Sequence, residues 1–318
     1  MRTRVRPAWA VVMTLTWLAA SGLVGGSAQA SPSAQLPVSY DFFDGVRAEL
    51  ARPGGSLPGT NDYSCRPSAA HPHPVILVHG TAANRQTNWA TMAPVLHNAG
   101  YCVFALTYGR LPAATYPLSA LGGLSSMVDS AAELRAFVDG VRAATGAAKV
   151  DLVGHSEGTL MPDYYVRYLG GGGVVDRYIS LAPYWKGQDY SDYLRLEAVV
   201  ARLGLDPKRV LPCPECAQEQ YGSPFMRAVN AGGTPYDPRV SYTNIMTRFD
   251  GLVVPWTDGY VPGPRTRNIV VQDRCPADRS DHLSLVASRR AAALVLGALD
   301  PRHPPAVPCL PIGPALPG

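Results

Sequence analysis

Charge is scarce in this chain. Only 16% of its 318 residues are Asp, Glu, Lys or Arg, and no internal repeat or block of like charge runs through it. That removes the compositional basis for a disordered segment, a solenoid or a charged interaction tail. The excess of 28 Lys and Arg over 24 Asp and Glu is small, so there is no electrostatic case for nucleic acid or an anionic membrane as a partner. A spanning helix needs about 20 consecutive apolar residues. The apolar stretch from Ala8 to Ala20 breaks at Ser21, Gly22, Gly25 and Gly26, and no integral membrane segment is expected.

Apolar residues, by contrast, make up 47% of the chain. That is ample for a core, in one large domain or two small ones. Arg2, Arg4 and Arg6 precede the apolar stretch, and Ser27-Ala28-Gln29-Ala30 supplies small residues behind it. This is the pattern of a secretory signal peptide over residues 1–30, so a secreted, extracellular protein is expected. Its loss takes three Arg and no acid, and the formal charge falls from +4 to +1. Six Cys, none in the leader, suit disulfides in an oxidising compartment. Of about 15 possible pairings, Cys65 with Cys102, Cys213 with Cys216 and Cys275 with Cys309 is the expected set. A redox or zinc role for Cys213-Pro-Glu-Cys216 lacks both a βαβ frame and a second CxxC.

Val75-Ile76-Leu77-Val78, between Pro74 and Gly80, reads as a strand buried on both faces. Residues 88–99 read as a helix with Asn88 as N-cap, 102–106 as a strand, and 126–144 as a helix entered through Ser126-x-x-Asp129 and closed by Gly146. Strands follow at 150–153, 177–181, 242–246 and 268–271, with helices from the turn after 154 to Tyr168 and over 283–299. Strands alternating with helices predict an α/β fold with a mostly parallel sheet and helices on both faces. Residues 31–318 are expected to form a single domain. Residues 41–74 read as a wrapping arm, 184–238 as a cap insertion whose periodic piece is Leu194 to Leu203, and 302–318 as a Pro-rich tail.

The strongest chemical signal is Gly154-His155-Ser156-Glu157-Gly158 between a predicted strand and a helix. A nucleophile there sits on a turn too tight for Cβ atoms two residues to either side, hence the two glycines, and its hydroxyl stands above the strand ends. Serine needs a base and a polarised electrophile. His79-Gly80-Thr81, after the first strand, places the Thr81 and Glu157 amides to receive a developing oxyanion; His79 shapes that loop. The base is expected late in the chain, and His282 lies in the polar loop after the last strand. The acid is expected on the loop after the strand near 247, which selects Asp250, with Asp258 and Asp273 as rivals and Asp281 poorly placed. His71-Pro72-His73 offers two metal-ligand types, but no carboxylate cluster is near it in sequence, and no metal is expected.

These segments together resemble the secreted class 2 lipases of bacteria, within the α/β-hydrolase superfamily. The likeness runs from Asn61 to Pro301 and rests on Pro74 to Thr81, Tyr101 to Leu106, Gly154 to Gly158 with Met161-Pro162, Tyr178 to Pro183, Thr247 to Asp250 with Pro255, and Ser280 to Leu283. It implies a Ser156, Asp250, His282 triad, an oxyanion hole from the Thr81 and Glu157 amides, no cofactor, and hydrolysis of acyl glycerols and related esters by a monomer. Glu157 stands where such lipases often carry Gln, and Gly251 where an acidic residue is common, so either could alter the charge of the site. The same triad would also serve an acyltransferase or a polyesterase. A non-catalytic binding protein would be expected to lack one of the three residues.

Overall fold

The computed structural model describes residues 35–190, 199–202, 204, 206 and 213–315. The expected leader and most of Leu194 to Leu203 lie outside them. Six strands make one sheet: β1 (Val75–Val78), β2 (Val103–Ala105), β3 (Val150–His155), β4 (Val175–Leu181), β5 (Ser241–Met246) and β6 (Thr266–Val270). Their order is β2-β1-β3-β4-β5-β6, and every pairing is parallel. The helices are α1 (Phe43–Ala51) ahead of β1, α2 (Met92–Asn98), α3 (Met127–Thr145), α4 (Met161–Tyr168), α5 (Pro214–Glu219) and α6 (Pro224–Val229) between strands, and α7 (Arg289–Leu299) after β6.

Alternate side chains of β1 feed different cores. Ile76 and Val78 pack with Met127, Leu134 and Val138 of α3 and Met161 of α4. Val75 and Leu77 point the other way, to Met92 and Leu96 of α2 and Val295 of α7. A continuous apolar run is what a strand covered on both faces requires. Helix α3 begins where Ser126 Oγ accepts from the Asp129 amide (3.4 Å) and ends at Gly146, whose φ of 74° is left-handed.

Three local readings need correction. Helix α2 starts at Met92, not 88: that start leaves Pro94 in the first turn, where its missing N–H costs nothing, whereas a start at 88 would bury it mid-helix. Asn88 instead faces the Gly80 amide (3.3 Å) and the His155 ring (3.0 Å). The helix read over 283–299 is broken at Ser288, whose Oγ caps α7 by accepting from the Ala291 amide (3.3 Å). The arm contains α1, packed so closely that a Cβ on Gly45 would lie 2.5 Å from the Gln86 and Thr87 carbonyls. Beyond α1, the Asn61 side chain pairs with both backbone groups of Ala105 (2.8 and 3.0 Å) and so covers the free edge of β2.

Disulfides join Cys65 to Cys102, Cys213 to Cys216 and Cys275 to Cys309. The third ties the tail to the loop ahead of His282. Arg290 bridges the same two segments, donating to the Val271 carbonyl (2.8 Å) and the Pro308 carbonyl (3.1 Å). The insertion is anchored in the core by Trp185, whose indole N–H donates to Asn244 Oδ1 (3.0 Å).

One buried group opposes this packing. Asp163 on α4 is fully buried, and neither carboxylate oxygen has a hydrogen-bond partner among the described residues. Burial pushes its carboxyl well above the usual range, with Asp237 adding to the rise and Arg167 opposing it. The folded chain therefore holds this proton more tightly than the unfolded chain. Stability from Asp163 is fully present below about pH 4, the unfolded value, and is lost as pH rises. Asp163→Asn keeps the shape and cannot ionise. In urea unfolding it should match the wild type near pH 4 and exceed it by about 1–3 kcal/mol at pH 7; a constant difference between the two would contradict this.

Candidate active site

The nucleophile turn follows directly from β3. Ser156 has a φ of 55°, a left-handed value that only surrounding structure can impose on a serine. The flanking glycines make it possible. A Cβ on Gly154 would lie 2.0 Å from the Gly158 carbonyl oxygen, and one on Gly158 would lie 2.2 Å from the Val78 carbonyl oxygen.

The loop after β1 folds back against this turn. His79 is fully buried, and burial pushes its imidazole down to about 4. It is therefore neutral, with Nδ1 donating to the Gly80 carbonyl (2.8 Å) and Nε2 accepting from the Tyr108 amide (3.4 Å). The Tyr108 hydroxyl donates to the His79 carbonyl (2.7 Å). The next amide, that of Thr81, donates no hydrogen bond among the described residues. With the Glu157 amide at the start of the helical turn Ser156–Thr159, it is available to an anionic ligand.

Asp250 follows β5 and is held by the Leu252 and Val253 amides, which donate to Oδ1 (3.0 and 2.7 Å). His282 Nδ1 lies 2.9 Å from each Asp250 oxygen, with both side chains buried. The rivals are engaged elsewhere: Asp258 by Lys186 (3.3 Å) and the Tyr221 hydroxyl, Asp273 by Arg248, and Asp281 by the Ser284 amide and hydroxyl (both 2.7 Å). A second layer fixes the spacing of the acid and base loops. Thr247 Oγ1 donates to the Ser280 carbonyl (2.5 Å) and accepts from Gln272 Nε2 (2.9 Å).

His155 adds a support that the sequence did not reveal. Burial pushes its imidazole well down, so it is neutral, and Nε2 lies 3.1 Å from the His282 carbonyl. The base loop thus rests on the residue beside the nucleophile, whose Nδ1 lies 3.0 Å from Asn88 Oδ1 on the other side of the ring.

Ser156, His282, Gly80 and Thr81 line one cleft of about 640 Å³. No hydrogen bond joins the Ser156 hydroxyl to His282 in this geometry, and such contacts tighten when substrate binds. One wall is the face of α1 and its entry, where Phe42, Val46 and Leu50 recur at i, i+4, i+8. Tyr184, Gln188 and Tyr190, from the start of the insertion, also line the cleft. The helical spacing of Phe42, Val46 and Leu50 was the available signal for α1.

Among the described residues, two groups have metal-ligand chemistry. The fold brings Asp151 and Asp176 to His73 (3.6 and 3.8 Å), carboxylates that are distant in sequence. The place is taken by cations, since Lys149 and Arg177 also pair with Asp176 (3.2 and 3.7 Å). Cys213 and Cys216, beside Glu215, are bonded to each other and offer no thiolate.

No helix among the described residues is long and apolar enough to cross a membrane. A comparison with curated protein sequences finds no match. Among solved structures, lipase B of Aspergillus fumigatus is similar at a TM-score of 0.59 and 20% identity, covering 80% of this chain and 57% of its own length. A lipase of Bacillus licheniformis in its mature form gives a TM-score of 0.51 and 17% identity, covering 74% of this chain and 94% of its own. The chain thus spans little more than half of the Aspergillus protein, and at these identities the two likenesses show a shared fold. The family model for class 2 lipases matches residues 72–291, from just before β1 into α7 and well over half of the chain. The chain belongs to the class 2 lipases and has the α/β-hydrolase fold.

Proposed function

We propose that the protein is a secreted serine hydrolase that cleaves acyl glycerols and related esters through an acyl-enzyme on Ser156. The observation that carries this reading is the His282 to Asp250 contact at 2.9 Å to both oxygens, with the histidine and Ser156 on one cleft. A proton on Nδ1 directed at the carboxylate leaves Nε2 with its lone pair free. His282 Nε2 then takes the Ser156 proton as Oγ attacks the ester carbonyl carbon. The amides of Thr81 and Glu157 receive the negative oxygen of the tetrahedral intermediate. Its collapse breaks the bond to the leaving alcohol, which departs with the proton from His282. Water, deprotonated by the same nitrogen, releases the acid and restores the serine. No cofactor enters any step.

The apolar stripe of Phe42, Val46 and Leu50 suits an acyl chain. Three disulfides and the leader over 1–30 favour export of a monomeric single domain, 31–318. The test is covalent labelling with a fluorophosphonate, followed by peptide mass spectrometry. The adduct is expected on Ser156, together with loss of p-nitrophenyl ester cleavage. An unlabelled protein, or an adduct on another residue, would refute the reading.

A further inference from the structure

Glu157 does more in this fold than contribute an amide. Its side chain is completely buried, and the Thr81 hydroxyl donates to Oε2 at 2.9 Å. The two residues are far apart in sequence and carry the two amides of the oxyanion hole, so this contact locks one amide against the other. The backbone leaves room for it. Gly123 passes so close that a Cβ there would sit 2.5 Å from Glu157 Oε2 and 3.0 Å from the Thr81 Cα.

The surroundings decide the charge state. No Lys, Arg or His pairs with Glu157, and Oε1 has no hydrogen-bond partner, among the described residues. The groups that face it are acidic or phenolic: Glu215 and Glu219, both buried on α5, and Tyr108. Glu219 accepts from the hydroxyls of Tyr184 and of Tyr190 (2.6 Å) and feels His282, so it is the member of the group that tolerates charge. An ionised Glu157 would be a buried anion with one hydroxyl donor, Thr81, and no cation, facing two other carboxyls, at a cost of several kcal/mol.

We propose that Glu157 is a positioning residue of the oxyanion hole, which its side chain sets by holding the Thr81 hydroxyl, and that it does so as the neutral acid. This rests on the serine-hydrolase reading above. Burial first, then the neighbouring Glu219 and Glu215, push its carboxyl well above the ordinary range, against the opposing pull of the Thr81 and Tyr108 hydroxyls, in keeping with that state. On this proposal Glu157 adds no charge to the site and acts as a neutral hydrogen-bond acceptor. Its proton becomes a vulnerability at alkaline pH. A carboxylate formed there would lie beside its own amide, opposing the negative oxygen that the amide is meant to receive, and kcat would fall.

Two measurements test this. The first is pH-stat hydrolysis of a short-chain triglyceride by the full chain and its E157Q and E157L forms. Glutamine can accept from Thr81 and cannot ionise, so the ratio of alkaline to neutral kcat/KM should be higher in E157Q than in wild type by about tenfold or more, the scale on which oxyanion-hole contacts act. E157L loses the latch, and its kcat should fall about 10- to 100-fold with KM nearly unchanged. Superimposable alkaline limbs for wild type and E157Q, or wild-type kcat in E157L, overturn the proposal. The second needs no substrate: the infrared difference between wild type and E157Q at neutral pH should show loss of a protonated carboxyl band. Its absence overturns the neutral acid even in a protein with no esterase activity, which separates this failure from that of the serine-hydrolase reading.

Discussion

Replacing Ser156 by alanine is expected to lower ester hydrolysis about 10⁶-fold while leaving the fold unchanged. The substitution removes only Oγ. Alanine has the same Cβ, so the strained φ of 55° and the packing against Gly80, where an added Cβ would lie 2.9 Å from that of Ser156, are untouched. Substrate affinity should survive as well, because the apolar walls of the cleft belong to α1 and the insertion. Residual rate, if any, would come from the oxyanion amides acting on water. The measurements are kcat on a p-nitrophenyl ester, with the thermal midpoint as a control for folding. Turnover within tenfold of wild type at an unchanged midpoint would remove Ser156 from the mechanism.

The parts of this molecule legible in the sequence are those fixed by local chemistry. A run such as Val75 to Val78 announces a doubly covered strand because both of its faces must be apolar. Gly154 and Gly158 announce the turn because any Cβ there meets backbone. Helix α1 is hard to read because a stripe of about two turns lies beside a Pro- and Gly-rich segment, and its partners, Gln86 and Thr87, are on another loop. The rise of the Glu157 carboxyl above its ordinary range could not be read at all. It comes first from burial and then from Glu219 and Glu215, which meet Glu157 only once the insertion folds against the nucleophile turn. His155 is a similar case, since its role is defined by a carbonyl 127 residues away.

Asp250→Asn is the sharper test of the site, because the shape is kept and only proton direction changes. In the wild type the carboxylate can only accept, so the proton of His282 sits on Nδ1 and Nε2 is left free for Ser156. An asparagine with its NH₂ toward the ring would donate to Nδ1 and drive the proton to Nε2, the nitrogen that must act as base. The expected loss in kcat is about 10⁴-fold, with a small change in KM. Folding should change little, since the asparagine oxygen can still accept from the Leu252 and Val253 amides. Asp258→Asn and Asp273→Asn supply the contrast. Their carboxylates pair with Lys186 and Arg248, away from the imidazole. The Arg248 pair is exposed and carries little energy, and at the buried Asp258 an asparagine can still accept from the Tyr221 hydroxyl, so both variants should keep activity close to wild type. A mild effect at 250 together with a large one at 258 or 273 would move the acid, and with it the proton path through His282.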